Sequence, residues 1–88
     1  MKVFPEKEAQ FIDTCERMEK AVAKYEPDTL LYKFYKLREP YAYAVIESFK
    51  TEGGDQAHQE SVHFLEIVPD MIECLDGGYE REFLDPLK

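Results

Sequence analysis

Apolar residues recur near the start of the chain at Phe11, Ile12, Cys15, Met18, Val22 and Tyr25. Steps of three and four lay them along one side of a helix that begins near Pro5. Pro5 suits a first helical position, and Glu6 and Glu8 stand where the helix dipole favours anions. Glu26-Pro27-Asp28 ends the helix, because a residue before proline is pushed out of the helical region and Asp tolerates tight turns.

Beyond this point the pattern changes. Residues 29–37 (TLLYKFYKL) and 41–49 (YAYAVIESF) are dense in β-branched and aromatic types, and Arg38-Glu39-Pro40 between them is short enough for a hairpin. Thr51-Glu52-Gly53-Gly54 breaks the pattern; Asp55 is expected to cap a short helix over 56–60, and Ser61 to cap another from Val62. That last helix carries Phe64, Ile67, Met71, Ile72 and Leu75 on one side, and Pro69 is expected to bend or restart it. Asp76-Gly77-Gly78 stops it, and Tyr79–Leu84 reads as a final strand.

With a stubby first strand at Lys2–Phe4, the order is β-α-β-β-α-β. This is the α+β ferredoxin-like unit, a four-stranded antiparallel sheet with helices on one face. The 88 residues form one domain, 1–88, without an internal repeat or linker, and nothing remains to cover the other face of the sheet. A second copy packed sheet to sheet is the expected cover, so a homodimer is predicted.

Composition narrows the function. A net charge of −8 repels a phosphate backbone, which argues against nucleic acid as a partner. Cys15 and Cys74 lie far apart and outside any C-x-x-C pattern, so reduced, packed thiols in a cytoplasmic protein are expected. No apolar run approaches the length of a signal peptide or a membrane span.

The candidate chemistry follows from strand register. If the hairpin loop has an even number of residues, Tyr32 lies opposite Glu47, and one face gathers Leu30, Tyr32 and Phe34 beside Tyr43, Val45, Glu47 and Phe49. An acid in an aromatic wall is costly to ionise, so Glu47 should have a raised pKa or be held by a partner such as Tyr32 or a histidine. Residues 57–64 (AHQESVHF) hold both histidines of the chain, His58 and His63. On an unbroken helix five positions separate them by roughly 140°, whereas an interruption at Ser61 would let both converge over the sheet and handle protons near neutral pH. The spacing is not that of an H-E-x-x-H zinc pair, and Glu60-x-x-His63 has no second copy to complete a di-iron site, so no metal is expected. No glycine-rich phosphate loop is present, which leaves a nucleotide cofactor without a seat.

Several stretches together resemble the antibiotic biosynthesis monooxygenase domain. They are Pro5-Glu6-Lys7-Glu8, Glu26-Pro27-Asp28-Thr29-Leu30 with Tyr32, Val45-Ile46-Glu47-Ser48-Phe49, and Ala57-His58 with Ser61, His63 and Phe64. The resemblance implies a dimeric α+β barrel and, for one branch of the family, oxidation of an aromatic, phenolic or quinone-like molecule by dioxygen without a cofactor. It casts Glu47 and His58 as catalytic proton handlers, and Tyr32, Phe49, His63 and Phe64 as substrate-binding residues. Other branches imply an isomerase of a small phosphorylated sugar-like signal, and a non-enzymatic dimeric ligand-binding module is the remaining alternative. The chain departs from the family pattern at Asp28, where glycine is usual, in a short first strand, and in having no Asn or Trp. Those two residue types serve the haem-degrading and anthrone-oxidising branches.

Overall fold

The computed structural model describes residues 1–85 and Leu87. A short 3-10 turn over Pro5–Lys7 leads into helix α1, Glu8–Tyr25, whose buried stripe is Phe11, Thr14, Cys15, Met18 and Val22. Ile12 and Tyr25, expected on this stripe, are instead exposed. Thr14 takes a core position because its hydroxyl donates to the Phe11 carbonyl at 2.7 Å, which satisfies the polar atom without water. At Glu26 the backbone leaves the helix with φ −124° and ψ 75°, as a residue preceding Pro27 must.

Strands β1, Thr29–Lys36, and β2, Tyr43–Phe49, form an antiparallel hairpin. The Leu37 amide donates to the Ala42 carbonyl and closes a loop over Arg38–Tyr41. The loop is even, and Tyr32 pairs with Glu47 as that parity requires. Leu30 does not join the inner face as expected, because Thr29 pairs with Phe49 and Leu31 with Ser48, leaving Leu30 as a bulged extra residue turned to solvent. Tyr32, Phe34, Tyr43, Val45 and Glu47 share the inner face of the pair. Its aromatic rings pack on α1: Phe11 lies 4.9 Å from the Tyr43 ring and meets Phe34 edge-on at 6.4 Å. Leu31, Tyr35 and Ile46, on the opposite face, and Leu37 beyond the end of β1 are exposed.

Two helices follow, α2 at Gly54–Gln59 and α3 at Val62–Glu73. Gly53, not Asp55, occupies the N-cap of α2; Asp55 lies in the first turn, where it accepts from Gln59 and Arg81. A Cβ on Gly54 would stand 2.6 Å from Phe49 Cβ, so the start of α2 can seat against the end of β2 only without a side chain there. Ser61 caps α3 by accepting from the Phe64 amide. Pro69 lies inside α3 without ending it. The carbonyl that loses its partner belongs to exposed Leu65, where water can replace the missing amide.

The sheet of the described residues has two full strands, flanked by single bridges from Lys2 to Ala42 and from Val3 to Leu75. Tyr79–Leu84 does not form the expected strand. After the bridge from Val3 to Leu75 the backbone turns at Gly77 with φ 100°, and residues 79–85 pair with no strand among the described residues. The core lies between the inner face and the helices, built on Val3, Phe11, Met18, Val22, Ile67, Met71 and Leu75.

Phe11 touches both strands' aromatic residues from α1 and is fully buried. Truncation in Phe11→Ala is expected to cost about 3–5 kcal/mol of unfolding free energy in urea titrations. A loss below about 1 kcal/mol would mean that the site collapses freely and that Phe11 does not anchor the layers.

Candidate functional site

The site is built where α1 ends. Pro27 forces Glu26 out of the helix, and its carboxylate meets both histidines. His58 lies in the last turn of α2, the backbone is extended at Ser61 (ψ 150°), and His63 follows in the first turn of α3. This break cancels the divergence that a continuous helix would impose. The two imidazole centroids are 6.1 Å apart, and both rings direct a nitrogen at Glu26 Oε2, His58 Nδ1 from 2.7 Å and His63 Nε2 in a shorter contact.

An ionised carboxylate only accepts, so each of these ring nitrogens carries its hydrogen. Thr29 donates to the other oxygen, Glu26 Oε1, at 3.0 Å. Burial pushes the Glu26 pKa up, but hydrogen bonds from His58, His63 and Thr29 outweigh it and hold the carboxyl below its ordinary value. Ser61 completes the frame: its hydroxyl donates to the His58 carbonyl at 2.6 Å and its oxygen lies 3.1 Å from His63 Nε2.

In the neutral form of His58, a hydrogen on Nδ1 leaves the lone pair on Nε2. That atom is buried without a hydrogen-bond partner, and the nearest acid, Glu47 Oε1, is 3.5 Å away. Burial raises the Glu47 pKa, and the attraction of His58 only partly opposes this. Burial, then the neighbouring Glu47 charge, lifts the Tyr32 phenol far above its usual value, so Tyr32 is a neutral wall. His58 packs among rings, 4.8 Å from Tyr32 and 4.9 Å from Phe64 by centroid.

A recess of about 80 Å³ lies over this group between sheet and helices, with Tyr32, Glu47, His58 and Phe64 in its walls. A wider cleft of about 620 Å³ adjoins it, bounded by β2 and residues 79–84. Val45, Glu47, Tyr79 and Arg81 belong to both. Of the residues expected to bind substrate, Tyr32 and Phe64 line the recess, Phe49 lines the cleft, and His63 lines neither, standing behind Glu26 against the Tyr25 ring. Cys15 and Cys74 are free and buried, and burial pushes the Cys15 thiol up to about 12, which leaves it unreactive near neutral pH.

Glu26 was not found by sequence reasoning. It lies 32 positions from His58, and its place before proline reads only as a helix stop. Glu26, His58 and His63 each offer a ligand atom within 4.8 Å of the others, a constellation that local spacing could not reveal.

Residues 1–70 match the family model for antibiotic biosynthesis monooxygenase. A crystal structure of a conserved protein from Methanosarcina mazei Go1 is 34% identical, with a TM-score of 0.82 over 90% of this chain and 78% of that one. Two solved structures bearing the name "putative antibiotic biosynthesis monooxygenase" share the fold. That from Caulobacter crescentus CB15 is 24% identical, with a TM-score of 0.91 over 100% of this chain and 84% of that one. That from Nitrosomonas europaea is 19% identical, with a TM-score of 0.74 over 88% and 81%. No protein of curated function matches the sequence. Among the described residues no helix is long and apolar enough to cross a membrane.

Because folding raises the Glu47 pKa, ionising it destabilises the folded state above that raised value and has no effect below the ordinary value of 4.5. Glu47→Gln is therefore expected to raise Tm at pH 8, in a thermal melt, and to leave it unchanged at pH 4. A variant less stable than the parent at pH 8 would show that the carboxylate is favourably held.

Proposed function

The chain belongs to the antibiotic biosynthesis monooxygenase family, and from that premise we propose that it is a cofactor-independent monooxygenase of a phenolic or quinol-type molecule. The observation that supports this best is the placement of Glu47. Its carboxyl lies in the wall shared by recess and cleft, facing a buried imidazole whose far nitrogen is fixed by a second acid. The recess has the volume of two or three waters, at roughly 30 Å³ each, so the aromatic body belongs in the wider cleft with its acidic edge towards Glu47.

Oxidation of an activated CH₂ or aromatic CH to a carbonyl consumes one dioxygen and releases one water. The difficult step is making an electron-rich anion that dioxygen can attack. Glu47 receives the substrate proton, and His58 Nε2 takes it up as the anion forms. Glu26 positions His58 and stabilises the imidazolium that results, without touching substrate. After that carbon has bonded to dioxygen, the same groups take its second hydrogen as the O–O bond breaks and return both protons to the departing oxygen, so that the carbonyl forms and water leaves. Tyr32, Phe34 and Phe64 keep the recess dry, which strengthens each of these interactions.

The family's paired-sheet assembly accounts for the exposed face. Leu31, Tyr35 and Ile46 form an apolar surface that a second copy would cover, and the unpaired residues 79–84 would complete a four-stranded sheet within that homodimer. The assembly is assigned to the cytoplasm, where free buried thiols persist.

Oxygen uptake with a panel of hydroquinones, naphthols and anthrone-type phenols tests the reaction. Turnover is expected with at least one, falling roughly 10²–10⁴-fold in kcat for His58→Gln and for Glu47→Gln. No uptake with any of them, or full kcat in Glu47→Gln, sinks the reading. Light scattering tests the assembly: the parent is expected at twice the chain mass and Ile46→Lys at the chain mass, and a monomeric parent refutes the dimer.

A further inference from the structure

The three donors at the end of α1 do more than orient one imidazole. We infer that Glu26 Oε2, His58 Nδ1 and His63 Nε2 form a binding site for a divalent transition-metal ion of the zinc class. Two imidazole nitrogens and one carboxylate oxygen are a complete three-ligand set for such an ion, with a fourth position left for water. Their convergence is tight: both nitrogens already point at one oxygen, from different helices. At zinc distances of about 2.0–2.1 Å, tetrahedral ligands stand roughly 3.3 Å apart, so His58 Nδ1 would move back about half an ångström from its present 2.7 Å. The ion takes the place of the two N–H hydrogens that now fill the centre.

Independent support comes from the groups behind the ligands. A metal-bound histidine usually donates its other ring N–H to a carboxylate, and a ligating carboxylate is itself hydrogen-bonded. Here the far nitrogen of His58 is buried without a hydrogen-bond partner and faces Glu47 Oε1 at 3.5 Å. Once the ion holds Nδ1, the hydrogen moves to Nε2, and Glu47 is the acceptor it meets. Thr29 Oγ1 fixes the non-ligating oxygen of Glu26 at 3.0 Å. Ser61 Oγ, 3.1 Å from His63 Nε2, stands where it can accept from a metal-bound water. The orphaned nitrogen of the ion-free site is thereby satisfied.

The donor types select the ion. Imidazole favours zinc, nickel and copper(II), whereas magnesium and calcium prefer all-oxygen cages. The inference does not depend on the oxygenase reading, but it bears on it. An ion on Nδ1 turns Nε2 from acceptor to donor, so the loaded protein has lost its base, and the site would act as an inhibitory switch.

Equilibrium dialysis of the chelator-stripped protein against zinc, with metal analysis, tests the site without reference to turnover. One zinc per chain is expected, with at least a tenfold loss of affinity in His63→Gln, and magnesium at the same concentration is expected not to be retained. No retained zinc, or equal retention by His63→Gln and Glu26→Gln, overturns the proposal. Because a variant at this junction can lose its fold, imidazole nitrogen NMR of the unmodified protein supplies a second readout. The chain has two histidines, so the spectrum is unambiguous. Zinc is expected to move the His58 Nδ1 and His63 Nε2 resonances together, and unmoved resonances at saturating zinc also overturn the proposal.

Discussion

One oxygen, Glu26 Oε2, accepts hydrogen bonds from two imidazoles that belong to different helices. The contact ties the end of α1 to α2 and α3 at a single point. It also sets the tautomer of His58, because a carboxylate can only accept and the hydrogen must therefore lie on Nδ1. The lone pair on the opposite nitrogen, the neighbourhood of Glu47 and the chemistry assigned to the recess all follow from that hydrogen. Hydrogen bonds to a charged group contribute about 1.5–3 kcal/mol each, more than most single contacts in so small a domain. Two backbone irregularities make the convergence possible, the exit from α1 before Pro27 and the extended residue Ser61.

Glu26 and Glu47 flank the same ring, and burial raises the pKa of both, yet their net shifts have opposite signs. Glu26 is surrounded by donors, so hydrogen bonding outweighs desolvation and its carboxyl ionises readily. Glu47 lies on the aromatic inner face with no formed hydrogen bond to His58, and desolvation dominates. Two acids pushed apart in this way, with an imidazole between them, are an arrangement suited to proton transfer. The same cluster gathers two imidazole nitrogens and one carboxylate oxygen within 4.8 Å of one another.

Much of the architecture was legible in the chain. The 3.6-residue recurrence located α1, the aromatic and β-branched runs located the hairpin, and loop parity set Tyr32 opposite Glu47. These features are local: each rests on a period or a turn that a few residues specify. Where the reading failed, a competing local effect or a missing neighbour was responsible. Thr14 took a core position through its bond to Phe11, a bulge turned Leu30 outward, and residues 79–84 paired with no strand among the described residues.

By itself, the sequence determined the element order, the inner face of the hairpin and the interruption at Ser61, because side-chain periodicity and capping act within a few residues. Only the tertiary structure decided that the break in the helix brings both imidazoles onto Glu26. That meeting depends on how the end of α1 packs against a junction more than thirty positions away, and no period in the sequence records such a distance.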